Sequence, residues 1–210
     1  MTINTYANEA HGFGFTYDSA RFACVADPGD PRRAAAWSSR ISNEIAASVL
    51  FTLAGSTAEE VAEGTAYSML VTTDSVAPGT ELLGGWDFDE VTLEAAESFL
   101  EKTSAAYVNA YQAYWRGFPM VQFTARPGPE TPSPHLLEEI GMLYTPRQTF
   151  TSLVVWPTDD REALAPVARE LWDGFFLVPL EREGRVRTGH KLVRRLEISR
   201  SAMGDLVVVG

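Results

Sequence analysis

The residues in this 210-residue chain whose types could do chemistry are three histidines, one cysteine and four acidic clusters. A zinc or iron site needs several His, Cys or carboxylate ligands at fixed spacing. His11, His135 and His190 are instead scattered over expected loops and termini. Cys24 stands alone in the strand-like run Phe22-Ala-Cys-Val25. A reactive thiol needs an electropositive, accessible setting, so Cys24 reads as a small buried apolar residue. The acids Glu59-Glu60, Asp87/Asp89-Glu90, Glu138-Glu139 and Asp159-Asp160 fall at expected helix starts or loops. There they favour the positive end of the helix dipole and face water, whereas general acid catalysis needs a buried carboxyl. Asp87-Phe-Asp89-Glu90 has two acids of a calcium loop and lacks its glycine. Gly12-Phe-Gly14 is the one G-x-G, with no third glycine and no helix start behind it, so it punctuates a strand rather than cradling phosphate. No G-x-S-x-G elbow is present. The expectation is no catalytic residue, no cofactor and no metal.

Binding features survive this search. Leu82 to Glu90 (LLGGWDFDE) alternates large apolar side chains with acids. Exposed, Trp86 and Phe88 would anchor a basic or amphipathic partner; tucked in, they close the core. A second cluster holds Tyr107, Tyr111, Tyr114, Trp115 and Phe118, with Arg116 inside it. Such rings favour interfaces and pocket rims, and a core stripe is the plainer reading. A pocket between sheet and helix, lined by Tyr144, Trp115, Arg126 and Arg147, would hold a carboxylate or phosphate on its guanidinium groups. Trp86, Phe88, Trp115, Arg116, Arg126 and Arg147 are therefore the candidate partner or ligand contacts.

These residues need elements to position them. Gly12 to Tyr17, with Phe13, Phe15 and Tyr17 alternating, and Phe22 to Ala26 read as strands. Ser48 to Leu53 and Ala66 to Thr73 follow as strands. Between them Thr57, with Glu60 three residues on, marks a capped helix ending near Gly64. Asp74 to Phe88 is a long loop. Thr92 to about Ala106 is a helix that either runs on through Tyr107, Tyr111 and Tyr114 or gives way near Asn109 to a strand from Tyr111 to Arg116; the second reading is favoured, with a turn at Gly117-Phe-Pro119 and a strand from Met120 to Ala125. Arg126 to Pro134 has four prolines in nine residues and excludes regular structure. His135 to Tyr144 suggests a short helical turn. Gln148 to Trp156 is the strongest strand. A helix then runs toward Gly174, with Pro166 implying that it bends or begins near Leu164. Leu192 to Ser199 and Leu206 to Val209 read as a C-terminal β-hairpin, with a short basic helix over Lys191 to Ile198 as the alternative.

Composition bounds the rest. Apolar residues make up 45 % and charged residues 21 % of the chain, ordinary values for a globular domain. The net charge of −11 argues against a dedicated nucleic-acid binder. That charge is uneven: residues 41–101 hold twelve acids and no Lys or Arg, whereas residues 181–200 hold seven Lys or Arg against three Glu. The arginines lack interleaved aromatics, hence a stacking platform for bases. Docking of this basic segment on the chain's own acidic face, or on a second subunit as a homodimer, is the expected use. A single cysteine allows no intrachain disulfide. The opening MTINTYANEAHG has no basic and apolar leader pattern, and no apolar run nears the roughly 20 residues of a membrane span. A cytoplasmic protein without stable membrane insertion is expected.

Three segments carry a resemblance: Phe13-Gly-Phe-Thr-Tyr-Asp-Ser19 with Phe22; the helix followed by Gly117-Phe-Pro119 and Met120 to Ala125; and Thr149 to Trp156 with the helix ending at Asp173-Gly-Phe-Phe176. Together they resemble the Mog1/PsbP-like α/β/α sandwich over residues 11–178. Asp18 stands where that family favours Pro, and Gly174 where it favours Ser. The resemblance implies an α+β fold with a mainly antiparallel sheet, here extended by the C-terminal hairpin. It gives a domain over residues 1–180 and a basic extension over 181–210, part of the same domain or of a dimer contact. It also implies a mostly non-enzymatic role: protein binding, as a scaffold, chaperone or adaptor. A small-molecule binding protein or enzyme for an anionic ligand is the alternative.

Overall fold

Twelve strands form in the computed structural model, which describes residues 2–26, 45–75, 89–90, 92–94, 96–97, 107–125, 136–145, 148–157, 161–178, 190–200 and 206–209. Nine of them make one antiparallel sheet. In spatial order these are β12 (Leu206–Val209), β11 (His190–Arg200), β6 (Tyr107–Trp115), β7 (Phe118–Ala125), β8 (Leu136–Tyr144), β9 (Gln148–Pro157), β5 (Ser68–Ser75), β4 (Ile45–Leu53) and β3 (Phe22–Ala26). A second antiparallel sheet joins β1 (Ile3–Asn8), β2 (Phe13–Asp18) and β10 (Phe175–Leu177).

Alternation sorts the large sheet into two buried faces. The inner face meets the small sheet and helix α2 (Arg161–Asp173). Its core holds Phe13, Phe15 and Phe175 from the small sheet, Val49, Phe51, Met69 and Val71 from β4 and β5, Trp115 and Met120 from β6 and β7, and Leu171 from α2. Phe175 is its hub, with ring centroids of Phe15, Trp115 and Phe150 at 4.9, 5.1 and 5.4 Å. The outer face buries Leu50, Leu70, Ala110, Phe123, Leu153 and Ile198. Ala96 and Leu93, from the helical residues 92–94 and 96–97, pack there.

Local chemistry explains most boundaries. Helix α1 (Ala58–Glu63) opens on the expected capping box: Thr57 Oγ1 accepts from the Glu60 amide at 3.2 Å, and Glu60 Oε2 accepts from the Thr57 amide at 2.8 Å. Gly64 closes it in the left-handed conformation, φ 71°. The β6–β7 connection is tighter than the expected Gly117-Phe-Pro119 turn. Only Arg116 (φ 47°) and Gly117 (φ 92°) lie between the strands, the pair of positive φ angles that a two-residue hairpin demands.

Several expectations need correction. His135 to Tyr144 was expected to hold a helical turn, but residues 136–144 form the central strand β8, paired on both sides. Ile140 and Tyr144 face one core and Leu143 the other, so the apolar residues show no period of two. The helix expected to bend or begin near Leu164 starts at Arg161 and runs through Pro166 to Asp173. Pro166 is exposed, while Ala168 and Leu171 turn inward. Lys191 to Ile198 lies in strand β11, not in a helix. Strand β1 carries no sequence signal beyond Ile3 and Tyr6 and is found by its six register pairs with β2. Strand β11 pairs with β12 on one side and β6 on the other, so residues 190–200 belong to the body of the sheet. The loops over 27–33, 76–88 and 126–134, residues 38–44 and the link over 184–189 lie outside the described residues.

Candidate functional site

Of the six candidate contacts, Trp86, Phe88, Arg126 and Arg147 lie outside the described residues. Trp115 is 7 % exposed and packs on Phe175, so it is a core ring rather than an anchor. Arg116 sits at the hairpin tip with its guanidinium 4.7 Å from the Trp115 ring, and its Nη2 reaches the Asp173 carbonyl at 3.5 Å. Tyr144 and Trp115 fall in different core clusters, on opposite faces of the sheet. These two rings therefore do not line one pocket, since side chains alternate between the two sides of a sheet.

The histidine and cysteine expectations can be placed too. The described residues bring together no group of three or more His, Cys, Asp or Glu fit for a metal ion. Cys24 is half-buried and hydrogen-bonded to Tyr17; burial, opposed by that bond, pushes its thiol up to about 11. Gly12 and Gly14 serve packing. Gly12 turns the chain at φ 67°. A Cβ on Gly14 would overlap the Phe176 ring and the Tyr6 carbonyl.

A different surface emerges from the inner face. Near the hairpin tip, β6, β7 and β8 present Ala113, Trp115, Phe118, Met120 and Leu143 to the core. One pleat further along, the same face of the same strands turns polar: Tyr111 and Asn109 on β6, Gln122 and Thr124 on β7, Glu139 on β8. Register aligns them. Arg195 stands opposite Tyr111, Tyr111 opposite Gln122, and Gln122 opposite Gly141. In the next row Asn109 faces Thr124, which faces Glu139. Arg195 is exposed, with its guanidinium 5.3 Å from the Tyr111 ring. Gln122 donates its amide to Glu139 Oε1. Asn109, Tyr111, Gln122 and Glu139 are all half-buried, within reach of a ligand and of water.

Helix α2 borders this floor. Gly141 lies beneath it: a Cβ there would stand 3.8 Å from Trp172 Cζ2 and 2.7 Å from Ser152 Oγ. The missing side chain lets Trp172 descend onto the sheet at the polar edge. Tyr67 lies at the buried end, its hydroxyl pushed far up first by burial and then by the Glu139 charge. Tyr67 therefore keeps its proton. The arrangement offers a guanidinium, two amides, hydroxyls and a carboxylate on a rigid floor beside an indole. Hydrogen bonding and stacking are its chemistry. Of these residues the sequence singled out Tyr111, the pair at Glu139 and, within the basic segment, Arg195; only cross-strand register groups them with Gln122 and Thr124.

The opposite face carries the second polar contact. Asp89 Oδ1 accepts from Gln112 Nε2 at 2.7 Å, and Asp89 Oδ2 accepts from Arg194 Nη1 at 3.2 Å. Thr92 Oγ1 takes the other proton of the Gln112 amide, at 3.0 Å. The acidic middle and the basic C-terminal strand thus meet within one chain.

The chain has a PsbP-like α+β fold, mostly antiparallel sheet with few helices. The solved structure of cyanobacterial PsbP (CyanoP) from Synechocystis sp. PCC 6803 is similar to it with a TM-score of 0.53 over 84 % of this chain and 92 % of that one, at 11 % identity. A Pseudomonas aeruginosa protein of unknown function, PA94, is similar at 9 % identity over 81 % of this chain and 93 % of that one, with a TM-score of 0.37. No family model and no curated protein matches the chain. The resemblance read from Phe13 to Phe176 holds at the level of fold. No helix among the described residues is long and apolar enough to cross a membrane.

Proposed function

We propose that the protein is a non-catalytic binding or scaffold protein that holds a segment of another protein on the polar half of the inner face. The observation that carries this reading is the change along β6 and β7. Ala113, Trp115, Phe118 and Met120 are buried, whereas Asn109, Tyr111 and Gln122 on the same face are accessible. A sheet face that only closed a core would stay apolar to its end. Side chains on paired strands are held in place, so a partner would meet them with little ordering cost. On this reading the fold is an α/β/α sandwich extended by the β11–β12 hairpin, and the protein is cytoplasmic, as a lone half-buried thiol suits a reducing compartment. The partner is a protein rather than nucleic acid: Arg194 is engaged by Asp89, Arg195 lies over Tyr111, and the whole chain carries −11.

A photo-crosslinking residue at position 111 tests this in the native host. Position 114, on the outer face and 39 % exposed, is the control. A defined protein adduct from position 111 and none from 114, weakened by Gln122→Ala in the purified pair, is expected. Equal capture from both positions would remove the inner face as the contact. A small anionic ligand on the same floor is the second reading, favoured by the Arg195 guanidinium stacked on Tyr111 with its edge exposed.

A further inference from the structure

The two outer strands of the large sheet are unusual for edges. Natural edge strands are guarded by charge, proline or bulges against pairing with another chain. Strand β12, Leu206-Val-Val-Val209, has no charged residue, no proline and no register shift against β11. Its Val208 is 40 % exposed. Strand β3, Phe22 to Ala26, is likewise uncharged, with Val25 46 % exposed. Among the described residues each of these strands has one partner strand.

Charge separates the two edges. Near β3, residues 45–75 hold Glu59, Glu60, Glu63 and Asp74 and no Lys or Arg, and Arg21, which precedes β3, is already paired with Glu170. Beside β12, strand β11 holds Lys191, Arg194, Arg195 and Arg200 against Glu197. Two copies at −11 each repel as a whole. Contact through β3 would bring two acidic ends together. Contact through β12 keeps those ends furthest apart; it sets the two basic β11 strands on either side of the paired β12 strands, where Asp89 already engages Arg194 in each copy.

We infer that β12 pairs antiparallel with β12 of a second copy, about a twofold axis normal to the sheet, giving one continuous sheet. Register supports the geometry. Val208 stands opposite Ile198, a member of the outer-face core. A twofold normal to the sheet keeps outer face beside outer face, so Val208 meets its equivalent across the axis. The N–H and C=O groups of β12 that no described strand pairs then find partners, which is how β-augmentation gains its affinity. Four residues of strand make a weak contact, so the dimer depends on concentration.

Light scattering of the full chain over a concentration series tests this. The mass should rise from 23.0 kDa toward twice that value as concentration increases. Val208→Lys should hold it at the monomer mass, and Val25→Lys should leave the wild-type curve unchanged. Both side chains are exposed, so both variants should keep the wild-type melting temperature. Amide exchange over residues 206–209 should slow at high protein concentration in the wild type alone. A monomer at every concentration overturns the inference. So does loss of association in Val25→Lys, which would mean head-to-tail pairing of β12 with β3.

Discussion

Asp89 and Arg194, 105 residues apart in sequence, are joined by a 3.2 Å ion pair on the outer face of the sheet. Both side chains are about half exposed, so water and salt screen the pair and its net worth is small. Its second link is stronger in kind: the same carboxylate accepts from the buried amide of Gln112. A double-mutant cycle with Asp89→Asn and Arg194→Ala should give a coupling of about 0.2–1 kcal/mol at low salt. Urea unfolding at high salt should reduce that coupling toward zero. A coupling that ignores salt would contradict a screened surface pair.

Gly174 and Gly14 are places where any side chain collides with backbone. A Cβ on Gly174 would run into the Thr16 carbonyl, and one on Gly14 into the Tyr6 carbonyl. The Thr16 amide bonds the Gly174 carbonyl at 2.8 Å, so neither strand can step away cheaply. Alanine at either site should cost at least about 2 kcal/mol of unfolding free energy. Gly55→Asn is the contrast: φ is 94° there, but no atom lies within 4 Å of the new Cβ. Chemical denaturation should show a clearly smaller loss in that variant.

Thr73 is 1 % exposed, and its Oγ1 finds no hydrogen-bond partner among the described residues. A buried hydroxyl without a partner costs roughly 1–3 kcal/mol of desolvation. Thr73→Val keeps the β-branched shape and removes that hydroxyl. The variant should gain about 1 kcal/mol and melt several degrees higher. A lower melting temperature would show that the hydroxyl is satisfied in solution.

Cys24 should be a slow thiol. With its pKa raised from 9.0 to about 11 by burial, the thiolate fraction at pH 8 falls about a hundredfold. Reaction with an aromatic disulfide reagent at that pH should slow in proportion against the unfolded chain. The sign follows for stability. A raised thiol pKa favours the protonated folded form, so its contribution is complete below the unfolded value and is lost as pH climbs through about 11. Cys24→Ala should remove that alkaline component from the unfolding profile.

The elements that the sequence revealed are those with a strong local signal. Thr57 and Glu60 announce α1, Phe13 and Phe15 announce β2, and the run from Gln148 to Trp156 announces β9. Strand β8 was masked because Ile140, Leu143 and Tyr144 serve both faces. The need for glycine at 174 becomes intelligible only beside the Thr16 carbonyl. The polar floor was least legible. Tyr111, Gln122 and Arg195 are far apart in sequence, and only register puts them in one row. The aromatic cluster of β6 misled for the same reason, since Trp115 points inward to Phe175 and Tyr114 points out on the other side.

Strand β2 has a consequence for synthesis on the ribosome. Its partner on one side, β10, begins at Phe175, and its anchor at Gly174 precedes that by one residue. Phe13 and Phe15, paired with Leu177 and Phe175, must therefore wait until residues 175–177 have emerged. Strand β6 waits longer still, with one edge open until His190 to Arg200 arrives. Non-local pairing of this kind folds slowly and leaves strand edges bare meanwhile. Nascent chains of this protein would therefore depend on protection from early aggregation until strand β11 clears the exit tunnel.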